Sequence, residues 1–133
     1  MGAGAKLRLG LAALAIALAP ALACAQQAST AEQKAVSAIA ECLAEGLPSQ
    51  WQRVLMVLHL PKPGAKSGDV QYLVAPAASG GELEPFTPCD VKRPARILIE
   101  LRQHLPAARR GWTGARLSLE PDGRFSLGYD YPK

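Results

Sequence analysis

The chain has 133 residues, three cysteines, and 15 lysines and arginines against 11 aspartates and glutamates, a length that holds one domain with a modest core. Two of the bases, Lys6 and Arg8, sit in an apparent export segment; without them thirteen bases face eleven acids, close to neutral. Near neutrality, with no clustered basic stripe, argues against nucleic acid as a partner.

Lys6 and Arg8 precede an uncharged apolar run from Leu9 to Leu22, which is short for a membrane span and ends in small residues. It reads as a cleaved secretory signal, residues 1–25, leaving 26–133 as a single domain in the periplasm or outside the cell. Ala23-Cys24-Ala25 is an A-x-A site that frees Gln26. Ala21-Leu22-Ala23-Cys24 also resembles a lipobox, with Ala21 where leucine is usual. That cut would leave a lipidated Cys24, a lipoprotein, and the one route to a membrane. If Cys24 is removed, Cys42 and Cys89 form an even pair in an oxidising compartment. A disulfide between them would contribute about 3–4 kcal/mol; two separate buried thiols is the other reading.

Ser29-Thr30-Ala31-Glu32 has the S-x-x-E pattern of a capping box, so the first helix should start there. Val36, Ile39 and Leu43, with the small Ala35, Ala40 and Cys42, make its apolar stripe. Glu32, Gln33, Glu41 and Glu45 are left for solvent, and Gly46 is the natural left-handed stop. Leu47 to Trp51 is the connection onward, with Trp51 plugging the end of the sheet. Val54–Leu60 is almost wholly apolar, as for an interior strand covered on both faces or nearly so. After Pro61–Gly64, Val70, Tyr72 and Val74 alternate, giving an antiparallel partner strand. Ala75–Pro88 has no regular period and should be a long connection, with Glu82–Phe86 able to add an edge strand. From Pro94 the period becomes helical: Ile97, Leu98, Leu101 and Leu105 share a face, while Arg96, Glu100, Arg102 and Gln103 lie away from it.

Gly111–Tyr131 is the firmest part. Ala115, Leu117 and Leu119 alternate with polar residues, and so do Phe125, Leu127, Tyr129 and Tyr131. Pro121-Asp122-Gly123 supplies a three-residue turn, which would set Leu119 against Phe125, Leu117 against Leu127 and Ala115 against Tyr129. The fold class is therefore α+β, in the order α-β-β-(β)-α-β-β, with helices against one antiparallel sheet of four to five strands.

No catalytic, cofactor or metal constellation emerges. His59 and His104 have no partner at ligand spacing, Gly80-Gly81 opens no phosphate-binding helix, and Ser79 lacks a nucleophile elbow. Glu120, Asp122 and Asp130 read as turn and solvated sheet surface beside arginines. Lys92, Arg93, Arg96, Arg109 and Arg110 gather around the second helix, as a solvated face or as a patch for an acidic partner. Tyr72, Trp112, Tyr129 and Tyr131 are the candidate anchors for a protein partner, with the core as the alternative for half of them.

Several of these pieces, in this order, resemble the small bacterial immunity proteins of the YezG type. They are the helix ending Ala40-Glu41-Cys42-Leu43, Gly46-Leu47-Pro48-Ser49-Gln50-Trp51, the strand from Val54 and the helix Ile97–Leu105. Last come Gly111-Trp112-Thr113-Gly114, Asp122-Gly123-Arg124-Phe125-Ser126 and Tyr129-Asp130-Tyr131. The resemblance implies a non-enzymatic antitoxin that binds a cognate toxin and blocks it by surface occlusion, without a cofactor. The export signal and the absence of acidity depart from that pattern, so an exported version would more sensibly meet an envelope-acting toxin, or have lost that role. The alternative is a small periplasmic or lipid-anchored envelope accessory domain.

Overall fold

A computed structural model describes residues 28–133; the export segment, its two candidate cleavage sites and Cys24 lie outside them. Helix α1 spans Thr30–Ala44 and begins with the capping box read from the sequence. Glu32 N–H donates to Ser29 Oγ at 3.2 Å, and Ser29 N–H donates to Glu32 Oε1 at 2.9 Å, so two orphan donors of the first turn are satisfied together. Val36, Ile39, Cys42 and Leu43 are buried. The helix does not end on a left-handed Gly46: Glu45 closes it in right-handed backbone. Gly46 is required for another reason, since a Cβ there would run into the Thr87 carbonyl.

The strands are β1 (Trp51–His59), β2 (Asp69–Pro76), β3 (Glu84–Pro85), β4 (Gly114–Leu119) and β5 (Phe125–Asp130), with helix α2 (Arg93–Leu101) between β3 and β4. They form one antiparallel sheet in the order β3-β2-β1-β4-β5, an α+β domain with the expected sequence of elements. β1 opens at Trp51, three residues before the apolar run suggests, so the tryptophan is part of the strand and half buried. α2 begins at Arg93 with Pro94 in its first turn and continues as a 3-10 turn over Arg102–His104.

Period-two alternation puts three apolar rows on one face of the sheet. Val74, Val54, Leu119 and Phe125 stand side by side; then Tyr72, Met56, Leu117 and Leu127; then Val70, Leu58, Ala115 and Tyr129. Both helices pack on these rows, with Ile39 and Leu43 from α1 and Leu98 and Leu101 from α2 joining a single core. The opposite face carries Leu73, Leu55, Ser118 and Ser126 in one row and Gln71, Val57, Arg116 and Gly128 in the next. Leu55 and Val57 are half buried there, so β1 is helix-covered on one face only. Among the described residues its second apolar set is sheltered by its strand neighbours and not by another layer.

The last hairpin has the predicted register, with Leu119 opposite Phe125, Leu117 opposite Leu127 and Ala115 opposite Tyr129. Gly123 takes φ +93°, its N–H donates to the Glu120 carbonyl at 3.0 Å, and Glu120 N–H donates to the Arg124 carbonyl at 2.9 Å. This closes the three-residue turn. Ala75–Pro88 is more ordered than its composition suggests: a 3-10 turn at Ala77–Ser79, two left-handed glycines at 80 and 81, then β3 on the edge of β2.

Cys42 and Cys89 are disulfide-bonded, with Cα atoms 4.9 Å apart, and Cys89 N–H donates to the Cys42 carbonyl at 2.9 Å. The bridge ties the C-terminal end of α1 to the segment leading into α2. No helix among the described residues is long and apolar enough to cross a membrane.

Two outcomes are expected. Cys42→Ser should lower unfolding free energy by about 3–4 kcal/mol in urea titrations, matched by reduction of the unmodified protein. Gly46→Ala should cost about 1–3 kcal/mol through overpacking against Thr87, read as a lower midpoint in the same titrations.

Candidate functional site

The four aromatic residues singled out in the sequence do not share one surface. Trp112 is wholly buried and Tyr72 is 6% exposed, so both belong to the core. Each sits on the inner, helix-covered side, and the Tyr72 hydroxyl donates to the Val91 carbonyl. Burial pushes the Tyr72 phenol up to about 12, with Asp90 adding to the shift. Tyr129 is half buried, and Tyr131 is 44% exposed.

What the fold assembles instead is a corner where the end of β5 meets the start of α1. The Tyr129 hydroxyl donates to Glu32 Oε2 at 2.7 Å, joining residues 97 positions apart. Arg109, in a 3-10 turn over Ala107–Arg109, brings its guanidinium to 3.7 Å from the same oxygen and lies 5.6 Å over the Tyr129 ring. Tyr129 packs on Trp112 at 5.6 Å between ring centroids, and Arg102 lies 5.8 Å over the indole. Two arginines therefore cap an aromatic pair, a favourable use of the ring faces. The Tyr131 hydroxyl donates to the Arg109 carbonyl at 3.0 Å, fixing the exposed ring beside the half-exposed guanidinium.

Two sequence expectations are corrected here. Glu32 is not solvated but 4% exposed, because its carboxylate serves the capping box with one oxygen and Tyr129 with the other. Arg102 is not turned away; it folds over Trp112, with its Nη1 buried and unpaired, as is Trp112 Nε1, among the described residues. Burial pushes the Glu32 carboxyl up, but the hydrogen bonds from Tyr129 and Ser29 and the Arg109 charge more than offset it, leaving it below the ordinary 4.5. Burial and the Glu32 partner push the Tyr129 phenol up. A carboxylate held ionised and a phenol held protonated make a structural lock rather than an acid–base pair.

The basic residues do not form one patch. Lys92, Arg93 and Arg96 surround the start of α2, next to the exposed Val91, while Arg109 and Arg110 lie beyond its far end. Arg109 stands at Glu32 in the first turn of α1, whereas Arg93 reaches Cys89, bridged to Cys42 ten residues further along that helix, roughly 15 Å away. Arg110 is committed to the Leu105 carbonyl at 2.7 Å, and Asp90 caps Lys92 N–H at 2.8 Å. Ser79 Oγ lies 2.9 Å from the Pro76 carbonyl, inside its own turn. On the open face of the sheet Arg116 grips Asp130 with two contacts of 2.9 and 3.1 Å, and beside the turn Arg124 meets Glu120 at 3.2 Å and Asp122 at 2.6 Å. Among the described residues no three His, Cys, Asp or Glu side chains converge as a metal site. The chain matches no protein-family model, and no curated protein matches it significantly.

The lock has a pH signature. A depressed carboxyl pKa contributes stability that is full above 4.5, the unfolded value, and is lost as pH falls through the lower folded value. Tyr129→Phe should remove about 1.5–3 kcal/mol at neutral pH. It should also flatten the acid limb of the unfolding profile; denaturant titrations on either side of pH 4.5 test both.

Proposed function

We propose that this is an exported binding protein of the immunity type, which neutralises an envelope-acting toxin by covering its working surface. The single observation that carries the reading is the Tyr131–Arg109 corner. An aromatic ring 44% exposed stands on an ordered backbone acceptor beside a guanidinium that the buried Glu32 already orients. Tyrosine and arginine are the residue types that dominate interface energetics, and ordering them before contact lowers the entropy cost of binding. The reading also draws on the resemblance to YezG-type proteins carried by Gly46–Trp51, Gly111–Gly114, Asp122–Ser126 and Tyr129–Tyr131. Export is supported by the Lys6–Arg8 start, the apolar run to Leu22 and the Cys42–Cys89 bridge, which suits an oxidising compartment.

The test is rescue. Cells sending the secreted effector encoded next to this chain into their periplasm should survive when the protein is co-expressed. Tyr131→Ala and Arg109→Glu should each weaken binding to the purified effector by tenfold or more, the size of about 1.4 kcal/mol. A gene neighbourhood with no secreted effector, or full rescue by the Tyr131→Ala/Arg109→Glu double variant, would overturn the assignment.

A further inference from the structure

β5 is an edge of the sheet, and among the described residues no strand pairs with its outer side. The ladder phase fixes which groups that side presents. Glu120 N–H bonds to the Arg124 carbonyl, so Glu120 and Arg124 are a hydrogen-bonded pair. Alternation along an antiparallel ladder then makes Ser118–Ser126 and Arg116–Gly128 the next such pairs. Phe125, Leu127 and Tyr129 therefore turn their N–H and C=O groups outward. The strand carries no proline, lysine or bulge within Phe125–Asp130 that would blunt it. Beside it, between β5 and the start of α1, lies an open cleft of about 980 Å³.

We propose that this edge pairs with the same edge of a second copy, antiparallel and centred on Leu127, so that two five-stranded sheets join into one of ten. The sequence of the strand is self-complementary in that register. Leu127 meets Leu127, Phe125 meets Tyr129 of the other copy, and Ser126 meets Gly128, the smallest partner available. Arg124 falls opposite Asp130 of the other copy, twice by symmetry, with side chains 72% and 56% exposed; to meet, Arg124 exchanges its contacts with Asp122 and Glu120, and Asp130 shares its carboxylate with Arg116. The outward groups of Phe125, Leu127 and Tyr129 are the ones this register needs for three doubly bonded pairs. A two-fold axis at Leu127 makes the contact isologous and closed, so it stops at a dimer. Shifting the register by two residues would lose both Arg124–Asp130 pairs and the Leu127 self-contact. A strand of this length alone makes a small interface, so a reversible dimer is expected and not a permanent one. The inference is independent of the toxin reading.

Sedimentation equilibrium of the protein as the cell processes it should show its mass double as concentration rises from low micromolar to millimolar. Over the same range, exchange of the Leu127 and Tyr129 amides should slow by about tenfold, while the Gly128 amide, already in the ladder, stays constant. Arg124→Asp and Asp130→Lys each place like charges opposite one another in the homodimer and should weaken it by at least about tenfold. Mixing the two variants restores opposite charges at both positions, so native mass spectrometry should find the heterodimer in preference to either homodimer. A monomer at every concentration overturns the proposal. A dimer that ignores both charge variants overturns it too, as does protection of the Leu127 amide in the monomer, which would mean that another part of the chain already covers the edge.

Discussion

A sheet with one apolar face is the constraint on which the rest of this molecule depends. Twelve side chains in three cross-strand rows, from Val74–Phe125 to Val70–Tyr129, have to leave water together, and only the side they share is open to helices. Burying each large aliphatic or aromatic group is worth about 1.5–3 kcal/mol, so no arrangement with the helices on opposite faces competes. The cost falls on β1. As the central strand it is apolar on both faces, yet Leu55 and Val57 receive only the lateral shelter of Leu73 and its neighbours. Among the described residues there is no third layer to cover them.

Within that frame α1 is held at both ends by chemistry rather than by packing alone. Its first turn is locked by Glu32, which accepts from Ser29, Glu32 being in turn the acceptor for Tyr129 on the last strand. Its last turn is held by the Cys42–Cys89 bridge. Burying the Glu32 charge is tolerable because donors meet both oxygens and Arg109 stands 3.7 Å away, so desolvation is offset by hydrogen bonds to the ionised form. A helix pinned in this way cannot slide along the sheet, which keeps the cleft beside β5 and the Tyr131 corner in fixed relation.

Local patterns in the sequence announced the local structure. The capping box at Ser29 and the turn at Pro121-Asp122-Gly123 each contain the groups that satisfy their own hydrogen bonds, so start, register and face were legible for α1 and the closing hairpin. Tertiary facts were not. Glu32 reads as a surface acid because nothing near it in sequence mentions Tyr129. Gly46 looks like a helix stop because the Thr87 carbonyl that excludes a side chain lies 41 positions on. Trp112 and Tyr72 look like interface anchors because aromatic residues suit interfaces and cores equally, and only the facing helices decide. The basic residues left a solvated face and a single patch both open, because sequence proximity does not show that Arg93 and Arg109 stand at opposite ends of α1. The candidate site was legible in its residues Tyr129 and Tyr131 but not in the partners, Glu32, Arg102 and Arg109, that give it shape.

That division bears on what the domain is built to do. The buried Glu32 and the half-buried Tyr129 hold structure, the first kept ionised and the second protonated by their mutual hydrogen bond. The groups the fold leaves exposed yet ordered are a ring and a guanidinium. Tyr131 is outside the last strand by one residue and is followed by Pro132, which cannot extend the ladder, so the ring would swing freely but for its bond to the Arg109 carbonyl. That bond lies next to the Glu32–Arg109 contact, so the exposed ring is anchored through the same lock that fixes the first helix. A surface made rigid from within meets another protein with little reorganisation, and the proposed binding role draws on this coupling of core to corner.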